Sequence, residues 1–412
     1  MRAQEKTPGP TDNTLTLTHP EAFVSEKLAR VSRVGGLLLA TAFFGAAANA
    51  APPARSAAKA VSGSKSEAMA FARKMGVGWN LGNTLEATGM KGASVRDYET
   101  GWGNPVTTKA MIDGVRAAGF KSMRVPVAWS NLMGPGPDYA IDEGLLDRVE
   151  QVARYGLDNG MYVIVNIHWD GGWIRRFSTD YDGCMRKYKS VWRQVAGRFK
   201  GYPDRLIFES MNEEGSFDDL WNVYGGKPDR KAEAYRLLNA INQAFTDLVR
   251  ASGGNNGRRY LLIAGYGTDI GRTVDPAFRM PRDPAGRSMV SVHYYSPPTF
   301  AILEKDASWG KAAYTWGTPA EVEAVKRDFL PLKARFLDKG VPVVVGEFGC
   351  PTVHKDPASV VKYLTTVCET ANSLGCVPML WDVGNIYDRQ TRQFKNPRLG
   401  EALARIAATP RP

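Results

Sequence analysis

Beyond about residue 70 the chain alternates short apolar runs with longer stretches whose apolar positions recur every three to four residues. The short runs read as strands: Val77–Leu81, Ser122–Val127, Met161–Ile167, Leu206–Met211, Tyr260–Ala264, Met289–Tyr294, Val343–Gly346 and Val377–Trp381. The longer stretches read as amphipathic helices, among them Thr108–Ala118, Gly144–Asn159, Lys231–Ala251, Glu321–Lys339 and Ala358–Leu374. The two periods differ because a helix returns to one face every ~3.6 residues and a strand every two. Gly119, Gly160 and Gly340 each follow a helical run, where a left-handed cap suits glycine. Eight strands alternating with helices predict a parallel sheet. Eight of them over this length predict an α/β fold, a closed (β/α)8 TIM barrel, with a single domain over residues 69–412. No G-x-G-x-x-G follows the first strand, so a dinucleotide site has no support. No internal repeat and no linker to a second domain is visible.

The first 50 residues read differently. Lys27, Arg30 and Arg33 flank an apolar run, Val34 to Ala48, that ends in Ala48-Asn49-Ala50. A charged flank, an apolar core and a small-residue cleavage site make a secretory signal, here behind a long polar lead, Met1 to Glu26. The run falls short of the about 20 apolar residues of a membrane span; an uncleaved anchor is the alternative. Residues 51–68, rich in Ala, Ser and Pro, predict a flexible start. The expected location is secreted or periplasmic, with no membrane span after cleavage. Export permits disulfides. Of Cys184, Cys350, Cys368 and Cys376, helix-then-strand geometry favours a Cys368–Cys376 pair, with buried free thiols as the alternative.

Composition narrows the function. Hydrophobic residues are 43% and charged residues 23%, which is ordinary for a globular domain. The net charge of +11 can signal a polyanionic partner. Here Lys and Arg are interspersed with Asp and Glu, without long runs of one sign. No basic stripe with interleaved aromatics supports nucleic-acid binding. The cysteine spacing matches no metal pattern, and no H-E-x-x-H appears, so no metal or cofactor is expected, and the protein is expected to be a monomer.

In such a barrel, chemistry sits at the C-terminal ends of the strands. The suitable residues cluster there. Arg124 lies in the second strand, and His168 closes the third. Asn212 and Glu213 close the fourth, His293 and Tyr295 the sixth, Glu347 the seventh and Trp381 the eighth. Hydrolysis of a glycosidic bond needs a proton donor and a carboxylate facing the oxocarbenium-like centre; Glu213 and Glu347 are the candidates. Alternation along a strand places Glu209, Met211 and Glu213 on one face, and Val343, Val345 and Glu347 on another, so both glutamates are expected to point into the barrel mouth from strands three apart. A single glutamate ending a strand is ordinarily a solvated or capping residue; two on opposite sides, each with polar neighbours, point to catalysis. Arg124 and Tyr295 can hold one carboxylate ionised. His168 and His293 can bond sugar hydroxyls or the acid, and Asn212 the 2-hydroxyl. Indoles offer flat apolar faces to sugar rings: Trp381 first, then Trp169 and Trp173, with Trp79, Trp102 and Trp129 in or after early strands. A sugar-binding barrel without catalysis is the competing class; it would keep the aromatics and lose a carboxylate.

The motifs then form a series: Gly78-Trp79-Asn80-Leu81-Gly82-Asn83-Thr84, Trp102-Gly103-Asn104-Pro105, Arg124-Val125-Pro126-Val127, Asn166-Ile167-His168, Met211-Asn212-Glu213, His293-Tyr294-Tyr295, Gly346-Glu347-Phe348-Gly349 and Trp381-Asp382. In this order the chain resembles glycoside hydrolase family 5, cellulase family A, from about Gly76 to Asn385. The resemblance implies a retaining mechanism with Glu213 as acid/base and Glu347 as nucleophile. It implies supporting roles for Arg124, His168, Asn212, His293, Tyr295 and Trp381; Asn83 and Trp169 join the expected substrate-binding set. The substrate it implies is a β-glucan polysaccharide cut internally at β-1,4 bonds, with xyloglucan, mixed-linkage glucan and mannan as alternatives. Two positions depart from the family pattern: Glu214 stands where proline commonly follows the acid/base, and Trp169 where a second histidine is common. Both bear on substrate preference.

Overall fold

The computed structural model describes residues 67–90, 94–409 and 411. The signal, the cleavage site after Ala50 and most of the flexible start expected from the sequence lie outside them. Glu67 and Ala68, expected in that flexible start, already belong to a helix over 67–75.

Eight parallel strands close into a barrel: β1 (Gly78–Asn80), β2 (Ser122–Val125), β3 (Tyr162–Val165), β4 (Leu206–Glu209), β5 (Leu261–Asp269), β6 (Ser288–Tyr294), β7 (Val343–Phe348) and β8 (Val377–Leu380). β1 closes the circle by pairing with both β2 and β8. A short antiparallel pair, β9 (Tyr387–Asp388) and β10 (Gln393–Phe394), follows and was not legible as strands. β5 runs five residues further than expected, with a register shift against β6 between Ala264 and Asp269.

The helices start and stop where local chemistry directs. Thr108 caps the helix Lys109–Ala117 by accepting from the Met111 amide. Asp356 does the same for Pro357–Leu374, which ends at Gly375 with φ +92°. Lys231–Ala251 buries Ala234, Leu238, Ile241, Phe245 and Val249 along one stripe. The helix expected over Glu321–Lys339 divides: the α-helix ends at Arg335, and a 3-10 turn, Leu337–Lys339, leads to left-handed Gly340.

Two cores result. Between strands and helices lies the larger one, with Val163, Val165, Leu206, Phe208, Val343 and Val345 facing outward. At the bottom of the barrel Ile164, Ile207, Leu262, Met289, Val344, Val377 and Met379 face inward and pack with Ala68, Ala72 and Met75 of the helix 67–75. Phe71 of that helix stacks on Tyr260, ring centroids 3.6 Å apart. All four cysteines are buried free thiols, so the Cys368–Cys376 pair is not formed. Each sits among apolar side chains, and burial pushes Cys350, Cys368 and Cys376 up to about 12, which leaves them as protonated, unreactive thiols.

Candidate active site

At the top of the barrel the inward positions change from apolar to polar. Arg124 on β2 is fully buried. Its Nε donates to Glu209 Oε2 at 2.7 Å and its Nη2 to Asn212 Oδ1 at 2.9 Å. Its Nη1 reaches both Glu347 Oε1 at 2.7 Å and Asn80 Oδ1 at 3.1 Å. Glu209 also accepts from Asn166 Nδ2 at 3.0 Å and Ser291 Oγ at 2.7 Å. Burial opposes a charge on Arg124, but the carboxylates of Glu209 and Glu347 outweigh it, and the guanidinium holds its proton still more tightly than usual. One buried cation thus fixes four residues from β1, β4, the segment after β4 and β7.

Above this layer lie the two expected glutamates. Tyr295 Oη donates to Glu347 Oε2 at 2.9 Å. His293 Nδ1 lies 2.8 Å from Glu213 Oε1 and 3.6 Å from Glu347 Oε2. One atom each of Glu213, His293 and Glu347 lie within 4.8 Å of one another, so a pair of carboxylate oxygens from the two glutamates lies within that distance. Their surroundings differ: the Glu213 side chain is 35% exposed, that of Glu347 only 6%. Three donors this close can hold a cation in principle. Here Arg124 already places its positive charge on one Glu347 oxygen, Tyr295 donates to the other, and His293 Nδ1 is bonded to Glu213. The set is engaged in hydrogen bonds and an ion pair rather than held open for a metal.

The histidines diverge. Burial, then Arg124 and His293, hold His168 well below the usual imidazole range. Burial acts in the same direction on His293, but the charge of Glu347 and the hydrogen bond to Glu213 outweigh it and raise His293. Burial and the charge of Glu347 push the Tyr295 phenol well above its ordinary range, so it remains a donor.

The glutamates reach the mouth by a different route from the alternation expected. Val343 and Val345 face the outer core, so strict alternation would send Glu347 outward too. Pairing with β6 instead runs Val292 to Val345 and then His293 to Glu347. The extra residue, Gly346, is a bulge that turns Glu347 inward. A side chain at 346 would also meet Ser291 Oγ at 3.0 Å and His293 Nε2 at 3.2 Å, so glycine lets the histidine pack against the strand. On the other side β4 ends at Glu209. Met211 belongs to the outer core, and its sulfur lies beside Gly215 and Leu238 of the surrounding helix. Only beyond it do Asn212 and Glu213 turn back to the mouth. Glu209, Met211 and Glu213 therefore do not share one face.

Trp381 is half-buried, and its indole lies parallel to the His168 ring, with centroids 5.5 Å apart and planes at 8°. A side chain at Gly82 would come within 3.0 Å of that indole. Trp169 is also half-buried; its backbone is left-handed, as is that of Asp170. That pairing is costly for residues with a Cβ. Asp170 anchors it: buried, it accepts from the Ser130 amide and hydroxyl and from Trp173 Nε1. The Arg175 guanidinium lies 5.4 Å from the Trp169 ring centroid. Three expected aromatics are not at the surface of the cleft. Trp79 and Trp129 are fully buried and Trp173 nearly so; the Trp79 Nε1 donates to Asp382, and the Trp129 Nε1 to the Asn166 carbonyl. Asn83 sits on the loop after β1 with φ +55°, its amide bonded to buried Glu86.

Asn80, Asn166, Ser291, Asp170 and Glu86 carried no expected role, and Glu209 only a strand face. The available signal was a polar residue two positions beyond an inward apolar one: Asn166 after Ile164, Glu209 after Ile207, Ser291 after Met289.

The family model for cellulase (glycosyl hydrolase family 5) matches residues 85–386. Endoglucanase B of Clostridium cellulovorans is 35% identical over 400 residues, spanning 93% of this chain and 85% of that protein. Among solved structures, a family 5 lichenase from a Caldicellulosiruptor species, in complex with cellotetraose, superimposes with a TM-score of 0.76 at 32% identity, covering 91% of this chain and 100% of that one. A family 5 xyloglucanase from Paenibacillus pabuli gives a TM-score of 0.72 at 34% identity, covering 82% and 99%.

Proposed function

Because the chain belongs to glycosyl hydrolase family 5, the cellulases, we propose that it is an endo-acting β-1,4-glucanase that works by retaining double displacement. The observation that carries the mechanism is the pairing of Glu213 and Glu347, with carboxylate oxygens within 4.8 Å. Retaining enzymes keep their carboxyls about 5–5.5 Å apart, whereas inverting ones leave about 6.5–9.5 Å for a water.

The roles follow from the contacts. Arg124 and Tyr295 donate to the two oxygens of Glu347, which stabilises Glu347 as the anionic nucleophile. In the first step a Glu347 oxygen bonds to the anomeric carbon as the glycosidic C–O bond breaks, and Glu213 gives its proton to the leaving oxygen. In the second, Glu213 takes a proton from water, which attacks the same carbon and releases Glu347. Asn212, fixed by Arg124, is placed to bond the 2-hydroxyl. Trp381 floors the sugar subsite beside the bond cleaved; Trp169 and Asn83 border the cleft.

Substitution separates the roles. Glu347→Ala is expected to abolish turnover on every substrate. Glu213→Ala is expected to spare glycosylation when the leaving group is a nitrophenol, and added azide then gives a β-glycosyl azide. An α-configured azide, or equal loss in both variants on every leaving group, would overturn the assignment. The relatives named for lichenase and xyloglucanase activity support mixed-linkage glucan and xyloglucan as further substrates of the same site. A panel of β-glucans and mannan, with product lengths read by chromatography, ranks them.

Export belongs to the same reading. The basic flank and Ala48-Asn49-Ala50 support cleavage near Ala50, and among the described residues no helix is long and apolar enough to cross a membrane. N-terminal sequencing of the exported protein is expected to begin close to Ala51; full-length protein retained in the cytoplasm would contradict this.

A further inference from the structure

Glu214 directly follows the proposed acid/base and replaces the proline common at that position. It is only 3% exposed. Its Oε1 accepts from Asn212 Nδ2 at 3.4 Å, and its Oε2 is buried with no hydrogen-bond partner among the described residues. A buried carboxyl with an unsatisfied oxygen is costly to keep. Asn212 is thus held at both ends of its amide: Arg124 Nη2 donates to the oxygen, and Glu214 accepts from the nitrogen. Two charged groups act on Glu214. Glu213 does so from its own turn, and Arg175 from the 3-10 turn Asp170–Ser178.

We infer that Glu214 is a positioning residue of the hydrolytic site, whose carboxyl clamps the Asn212 amide. The inference rests on the sugar-binding role of Asn212 proposed above. Burial first, and then the charge of Glu213, push Glu214 up to about 7; its own backbone N–H, Arg175 and Asn212 act against that shift. It therefore changes charge near neutrality. With one Asn212 N–H directed at Glu214, the amide is turned in one sense, and its other N–H stays available to a sugar hydroxyl.

The test compares wild type, Glu214→Gln and Glu214→Pro. Glutamine keeps the acceptor and removes the charge; proline is the residue the family commonly carries, so the turn can accommodate it. For Glu214→Gln, kcat/KM on a soluble β-glucan is expected to stay within about threefold of wild type at the acid side of the optimum. Glu214→Pro should lose about three- to tenfold in kcat/KM, including on a nitrophenyl glycoside, because the clamp on Asn212 is gone; the recovery by glutamine separates the lost acceptor from a merely structural change. Circular dichroism identifies a variant that has not folded, in which case the other carries the comparison. Wild-type kcat/KM in folded Glu214→Pro, or an equal loss in folded Glu214→Gln, would overturn the inference. Wild-type protein inactive on all β-glucans would instead overturn the proposed function, so the two failures are distinct.

Discussion

The two ends of the barrel are built from the same strands and the same inward-facing register, yet they obey opposite rules. At the bottom, Ile164, Ile207, Met289 and Val344 fill the interior against the helix 67–75. Two residues further along the same strands stand Asn166, Glu209, Ser291 and Gly346, with Arg124 between them. The bottom gains stability from apolar burial, which is non-directional and tolerates exchange of similar shapes. The top holds a guanidinium and two carboxylates in a nearly dry interior, where each group depends on specific partners. The barrel thus carries its apolar packing below and its polar network above, and the boundary is one layer of side chains thick.

The largest effect that separates the two ends is expected from Arg124→Met. It strands Glu209 and Glu347 without their shared cation and frees Asn212. Breaking a buried pair in this way costs about 3–5 kcal/mol, so a large fall in stability should accompany loss of turnover. Chemical denaturation and activity assays on the same preparation check this. An active Arg124→Met enzyme would show that the polar layer is not one unit.

The complementary substitution is Ile207→Ala at the bottom. It opens a cavity beneath Glu209, and a large-to-small change at a fully buried site costs about 2–5 kcal/mol. Turnover per folded molecule is expected to remain at the wild-type level. If kcat fell with stability, the bottom layer would also be positioning the glutamates, and the division between the ends would fail.

That division explains what was legible in the sequence. All eight strands were readable, because apolar runs with outward and inward positions both buried stand out from the polar loops. The candidate site residues were readable because strand ends in a barrel share one rim. The route by which Glu347 reaches that rim was not. A bulge is a relation between two strands, Val292–Val345 followed by His293–Glu347, and no period within one strand reveals it. The same holds for Glu209: in sequence it is one more residue of strand four, and only the partners Arg124, Asn166 and Ser291 show that it is the floor of the site. Burial of Trp79, Trp129 and Trp173 was hidden for the same reason. An indole in the cleft and one beneath it differ only in what the rest of the chain packs against them.

A smaller effect tests whether the polar end alone makes stability pH-dependent. Glu86, under the loop after β1, is raised from 4.5 to about 7, chiefly by burial; the amides of Asn83 and Thr84 and the charge of Arg389 act against that shift. The folded state then binds a proton that the unfolded chain releases between roughly pH 4.5 and 7. Stability from this group is full below the unfolded value and declines as pH rises through the folded one. The decline amounts to on the order of 3 kcal/mol. Glu86→Gln is expected to flatten stability across that window in denaturation curves taken at several pH values, while Ile207→Ala should lower the whole curve without changing its slope. An unchanged slope in Glu86→Gln would show that Glu86 is ionised in the folded protein throughout.

The smallest expected effect lies on the outer edge of the polar end. Trp381 directly follows β8, stacks on His168 and closes over Gly82. It touches neither the apolar plug nor the Arg124 network through any hydrogen bond. Its face is half open to the mouth, where a glucose ring can stack C–H groups on the indole. Trp381→Ala should therefore weaken substrate grip while leaving the fold intact. A loss of about ten- to hundredfold in kcat/KM corresponds to roughly 1.4–2.8 kcal/mol. A conservative Trp381→Phe should recover part of it, since a smaller flat ring still stacks. Circular dichroism and the denaturation midpoint should match wild type in both variants. If Trp381→Ala unfolds the protein instead, the indole belongs to the packing of the barrel, and the boundary between its two ends lies higher than the side chains of β8 suggest.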